Sequence, residues 1–197
     1  MTGQNPEGSP IEERDAQGTV RTHRWLLATD DRFLCDFLGD VFARYWDQIS
    51  FGPILDGCAY EWSCAAPPDR IEYEGGYLTI GFAGPHFHLC LAPPVKLADV
   101  PADDPRLRRL PGRASLFRSL DDRGAPNSWG FELRNRAGDP LLSIYFANPF
   151  VLPGDRLADT PDWSRLAMWR DISARYLGLA PDPFDETSMG FGWAAAA

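Results

Sequence analysis

Residues 70–91 read Arg70-Ile71-Glu72-Tyr73-Glu74-Gly75-Gly76-Tyr77-Leu78-Thr79-Ile80-Gly81-Phe82, then Ala83-Gly84-Pro85, then His86-Phe87-His88-Leu89-Cys90-Leu91. Two alternating runs joined by a Gly-Gly pair predict a β-hairpin, because both central residues of its tight turn need positive φ. Ala83-Gly84-Pro85 turns the chain again, and Pro93-Pro94 ends a third short strand. Successive strand residues point to opposite faces. Ile71, Tyr73, Leu78, Ile80, Phe82, Phe87, Leu89 and Leu91 therefore sort to one side. Glu72, Glu74, Tyr77, Thr79, His86, His88 and Cys90 sort to the other.

The pattern extends outward from this meander. Downstream, residues 95–113 form a connector with a short helix around Asp104–Leu110. A second meander follows over Ala114–Leu120, Ser128–Arg134 and Leu141–Phe146, with turns at Asp122–Asn127 and Ala137–Asp139. Upstream, Phe33, Leu34, Phe37, Leu38, Val41, Phe42, Tyr45, Trp46 and Ile49 recur at helical spacing. Thr29 or Asp30 caps that run and Gly52-Pro53 stops it. A second helix is predicted over Pro161–Leu177, capped by Thr160 and ended by Gly178. The expected fold is α+β: a two-layer sandwich in which an antiparallel sheet of about six strands, two three-stranded meanders, packs on an N-terminal and a C-terminal helix. Residues 1–22 read as a flexible acidic tail, 23–180 as one domain, and 181–197 as an acidic, Gly-rich tail.

Composition narrows the function classes. Among 197 residues, 28 Asp+Glu against 19 Lys+Arg leave a net charge of −9. That balance disfavours nucleic acid, whose binding relies on cationic side chains displacing counterions. No stretch comes near the ~20 apolar residues of a membrane helix, so no membrane partner is expected. The start lacks a basic segment followed by an apolar run, which predicts a cytoplasmic protein with Cys35, Cys58, Cys64 and Cys90 as free thiols. Cys58 and Cys64 are not at CxxC spacing. No GxGxxG, GxxxxGK[ST], GxSxG or HExxH occurs, so no nucleotide cofactor or serine-hydrolase chemistry is supported.

The His-x-His-x-Cys strand carries the functional expectation. Imidazoles at i and i+2 lie ~7 Å apart at their Cα atoms and can converge on one ion. Cys90 is ~13 Å from His86 along an extended strand, so a complete site recruits a neighbour. The candidate metal ligands are His86, His88, Cys90, Glu72 and Glu132, with Cys58 or Cys64 as further neighbours. Such a mixed set suits a transition metal (Zn, Fe or Cu), in a small metalloenzyme or an accessory protein of a metal pathway. A His-x-His strand also occurs in cupins and α-type carbonic anhydrases. Both use a third histidine, and only His23 remains here, so neither assignment follows.

Other readings stay open. His86 and His88 can be half-exposed sheet residues bonded to Glu or Tyr neighbours. His88 can act with Glu72 or Glu132 in metal-free acid–base catalysis. The polar face, or the Arg106, Arg108, Arg109, Arg113 group, can bind a small molecule or a protein with no metal. Asn127 and Asn148 read as turn residues, and Trp129 as core.

Overall fold

The computed structural model describes residues 8–152, 154 and 156–190. In chain order the elements are β1 (Ile11–Arg14), β2 (Val20–Leu27), α1 (Asp31–Tyr45), β3 (Ile49–Gly52), β4 (Ile54–Leu55), β5 (Cys58–Ala59), β6 (Trp62–Ser63), β7 (Arg70–Glu74), β8 (Tyr77–Gly81), β9 (His86–Cys90), β10 (Pro111–Leu120), β11 (Pro126–Asn135), β12 (Pro140–Phe146), β13 (Val151–Leu152), β14 (Arg156–Leu157) and α2 (Ala167–Leu177). The fold is α+β and mostly antiparallel sheet with two helices. The main sheet has seven strands in the order β1-β2-β10-β11-β12-β3-β6, and β7-β8-β9 form a separate three-stranded sheet. The two meanders therefore belong to different sheets rather than to one sheet of about six strands.

The chain divides into two compact units. One comprises the described residues up to Trp25, Ser115–Phe131 and those from Tyr145 on; the other comprises Leu26–Ala114 and Glu132–Ile144.

In the second of these, the Asp30 carboxylate accepts from the Phe33 N–H at 2.9 Å and caps α1. Leu34, Phe37, Leu38, Val41 and Phe42 are fully buried along its inner face. Burying each such side chain is worth about 1.5–3 kcal/mol. Phe42 meets Phe51 edge-on at 4.8 Å between ring centroids and Phe87 at 5.5 Å. Trp62 meets Phe82 at 4.7 Å. The helix stops at Tyr45, short of the expected Ile49, because Ile49–Gly52 is taken into the main sheet. There the backbone of Gly52 passes so close to the Tyr60 carbonyl that an added Cβ would lie 1.7 Å from its oxygen. Gly75 and Gly76, at φ 58° and 88°, make the β7–β8 turn. The Gly76 carbonyl accepts from the N–H groups of Leu91 and Ala92.

In the first unit, the expected tail of residues 1–22 contains β1, which pairs antiparallel with β2 from Ile11↔Arg24 to Arg14↔Val20. The last helix begins later than its sequence suggests. Asp162, not Thr160, accepts from Ser164 N–H to start a 3-10 turn over Trp163–Leu166, and α2 follows. Gly178 ends α2 in the left-handed conformation at φ 67°. The expected tail from residue 181 contains a 3-10 turn, Pro183–Glu186, whose Asp185 is 2% exposed. Residues 1–7 and 191–197 of the two expected tails lie outside the described residues.

Candidate functional site

The registers of β7, β8 and β9 bring the polar side chains of the opening stretch into rows. Glu72 pairs with Thr79, and Thr79 pairs with His88. Arg70, Gly81 and His86 form a second row, and Glu74, Tyr77 and Cys90 a third. Phe87 and Leu89 turn the other way, toward the apolar core of this unit, which leaves His86 and His88 exposed. The two imidazole rings stand 5.0 Å apart at an interplanar angle of 74°.

Each imidazole has an oxygen at Nδ1. His88 Nδ1 lies 2.7 Å from Thr79 Oγ1, and His86 Nδ1 lies 3.4 Å from the Gly84 carbonyl oxygen. A carbonyl can only accept, so in the neutral ring His86 Nδ1–H donates, weakly at that length, and the lone pair sits on Nε2. With Thr79 Oγ1 accepting in the same way, His88 also presents an Nε2 lone pair. An imidazole whose other nitrogen donates to a fixed oxygen is the usual form of a metal-ligating histidine.

The other expected ligands are not gathered at this pair. Glu72 shares its face, with its side chain 64% exposed and 3.9 Å from Arg70 Nε. Cys90 is half-buried, donates to the Ala92 carbonyl at 3.5 Å, and packs against the Leu97, Leu107 and Leu110 cluster of the connector. Glu132 stands on β11 in the main sheet and is gripped bidentately by Arg134 at 2.8 and 2.9 Å. Cys58 is exposed, and burial pushes the Cys64 thiol up to about 11. Among the described residues no group of three His, Cys, Asp or Glu is already assembled for a metal ion.

Asn148 and Arg106, from two further groups noted in the sequence, are held by local hydrogen bonds. The Asn148 amide donates to the Asn127 carbonyl while its Oδ1 accepts from Phe150 N–H. Asp104 accepts both Nε and Nη2 of Arg106.

The other compact unit holds a polar centre that sequence reasoning missed. Arg118 on β10 is 5% exposed. Its Nη1 donates to Asp182 Oδ2 at 2.7 Å and to Asp185 Oδ1 at 2.9 Å, and its Nε donates to His23 Nδ1 at 3.0 Å. The guanidinium lies over the rings of Trp25 and Phe184, 5.2 and 4.6 Å from their centroids. Asp185 also accepts the indole N–H groups of Trp129 and Trp169, at 2.9 and 2.8 Å. Because Arg118 Nε can only donate, His23 Nδ1 carries a lone pair and the neutral ring is protonated at Nε2. Burial, and then the charge of Arg118, hold the His23 pKa below its ordinary value. Burial alone would raise the Asp182 carboxyl, but its bonds from Arg118 and the Phe184 N–H keep it low.

No local signal marks this cluster. His23 and Arg118 are single polar residues on strands, and the Asp182–Asp185 turn reads as an acidic tail. No curated protein matches the chain. One family profile does match, over residues 11–178, a span that takes in His86, His88, His23 and Arg118 and stops before Asp182 and Asp185. The chain thus belongs to a family of unknown function (DUF7676).

Proposed function

We propose that this protein binds a divalent transition metal on the exposed face of β7–β9, through Nε2 of His86 and Nε2 of His88, with Glu72 swinging in as a third ligand. One observation carries this reading: both imidazoles are oriented at Nδ1 by an oxygen, side by side and open to solvent. An ion held at ~2.0–2.1 Å by each nitrogen sets the two nitrogens roughly 3–4 Å apart, within reach of small side-chain rotations from rings 5.0 Å apart. Two imidazoles and a carboxylate with open positions suit zinc, iron or copper, and the general affinity order of the divalent ions predicts the tightest complex with copper. An open site with exchangeable positions suits transient holding and hand-over of an ion, or catalysis at it, over a closed structural role. Cys90 and Glu132 drop out of the ligand set, since each is engaged elsewhere.

A reducing, cytoplasmic setting is part of the proposal, supported by four cysteines without a disulfide. No helix of the described residues is long and apolar enough to cross a membrane. The one-sided apolar stripes of α1 and α2 support a two-layer arrangement of helix on sheet.

Elemental analysis of protein purified without chelators, followed by calorimetric titration with Cu²⁺ and Zn²⁺, tests the metal site. One equivalent bound by wild type and lost in the His86→Ala/His88→Ala double variant is expected. Absence of stoichiometric binding after reconstitution, or binding that survives the double substitution, overturns the proposal.

A further inference from the structure

The compact unit built on Arg118 contains a cavity of about 330 Å³ whose lining includes Trp25, Trp169, Leu179, Arg118, Ser173 and Asp182. At roughly 30 Å³ per water-sized group, it has room for about ten non-hydrogen atoms. Its walls are chiefly indole, leucine and proline surface, so the body of a guest would be apolar.

The polar groups at its edge decide the guest's headgroup. Formal charges of the lining cancel, since Arg118 and Arg170 face Asp182 and Asp185. What differs is how much hydrogen-bonding capacity remains. Both Asp185 oxygens accept, Oδ1 from Arg118 and Trp129 and Oδ2 from Trp169. Both Asp182 oxygens accept too, from Phe184 N–H and from Arg118. The donors are less fully used. Arg118 donates through Nε and Nη1, and its Nη2 has no partner among the described residues. Ser173 is 5% exposed, and its buried hydroxyl has no hydrogen-bond partner among the described residues. An unbonded buried hydroxyl costs ~1–3 kcal/mol of desolvation, which a ligand acceptor would offset. Every carboxylate oxygen here already has a donor, whereas Arg118 Nη2 and the Ser173 hydroxyl have no partner among the described residues, so an added acceptor fits best, and a guanidinium favours an anionic one.

We infer that this cavity is a binding site for a small monocarboxylic acid with an aromatic or branched apolar body, its carboxylate accepting from Arg118 Nη2 and Ser173 Oγ and its body lying against Trp25 and Trp169. The site is separate from the histidine face and stands or falls independently of metal binding.

Isothermal titration of the full chain with phenylacetate, set beside phenethylamine and phenylacetamide, tests both shape and charge. Saturable binding of the acid, at least tenfold tighter than the amine, is expected. Ser173→Ala should weaken the acid about tenfold while leaving the melting temperature unchanged or raised, because it deletes an unbonded hydroxyl. Equal or tighter binding of the amine overturns the inference. So does an absence of saturation by phenylacetate and by isovalerate up to about 10 mM. A Ser173→Ala variant that melts lower, or that binds the acid as well as wild type, overturns the role given to the hydroxyl.

Discussion

His86 and His88 on one side, and His23 on the other, are the same side chain in two physical situations. The first two stand on an exposed sheet face with Nδ1 against an oxygen, so each ring presents its second nitrogen to solvent. His23 is enlisted the opposite way: its Nδ1 lone pair accepts from Arg118 in a partly buried cluster. Polar groups of the Arg118 centre are spent largely on one another, and removing any of them strands its partners. Polar groups of the histidine face have few protein partners, and removing them should cost function rather than stability. A polar cluster's use therefore depends less on which residues it holds than on which lone pairs and protons remain uncommitted.

The sharpest way to break this contrast is Asp185→Ala. It leaves the Arg118 charge and two indole N–H groups without their shared acceptor in a site where both ion-pair side chains are over nine-tenths buried. A loss of about 3–5 kcal/mol is expected in urea unfolding. A loss below about 1 kcal/mol would show that solvent reaches the cluster and that the contrast is overstated. Trp169→Phe removes one N–H bond to that charged carboxylate and should cost about 2 kcal/mol by the same measurement.

Next in size is a pH effect. Folded His23 holds its pKa below the ordinary 6.5 through burial and through the Arg118 charge. The unfolded chain therefore takes up the proton first as pH falls. Stability declines downward from about pH 6.5, levels off once folded His23 is protonated, and is flat above. Subtracting the melting curve of His23→Asn, which keeps an acceptor for Arg118, from that of wild type between pH 7.5 and pH 5 should expose this slope. Parallel curves would mean that His23 keeps its lone pair without cost.

The smallest stability effect belongs to the exposed face. Thr79→Val should change unfolding free energy by no more than about 0.5 kcal/mol, yet weaken Cu²⁺ about 10–100-fold in titration by freeing the His88 ring. Unchanged copper affinity would remove Thr79 from the site, and a large stability loss would place this face with the buried cluster.

How much of this was readable in advance differs by region. The Glu72–Thr79 and Arg70–Gly81 pairs follow from alternation and a two-residue turn, and the face that carries His86 and His88 follows from alternation, although their register across the four-residue connection Phe82–Pro85 does not. Those are local facts of three adjoining strands, so the composition of that polar face was legible residue by residue. Glu132 alternates just as correctly on its own strand, but β11 lies in another sheet. Cys90 lies on the expected face, yet the connector carrying Leu97, Leu107 and Leu110 packs on it. Strand β1 and the Asp182–Asp185 turn were illegible because polar, Pro- and Gly-rich segments look alike whether solvated or pinned down.

From the sequence alone come the α+β class, a cap of α1 at Thr29 or Asp30, the Gly178 stop of α2, and the side of the sheet that carries His86 and His88. Each depends on residues within a turn or two of one another, where periodicity and φ preferences act without reference to the rest of the chain. Only tertiary structure decided that Arg118 meets Asp185 across 67 positions and His23 across 95, and that a cavity with uncommitted donors lies beside them. Burial is a property of the assembled chain. An arginine, two aspartates and a histidine have no special pairing energy in water, and gain one only where folding removes the solvent around them.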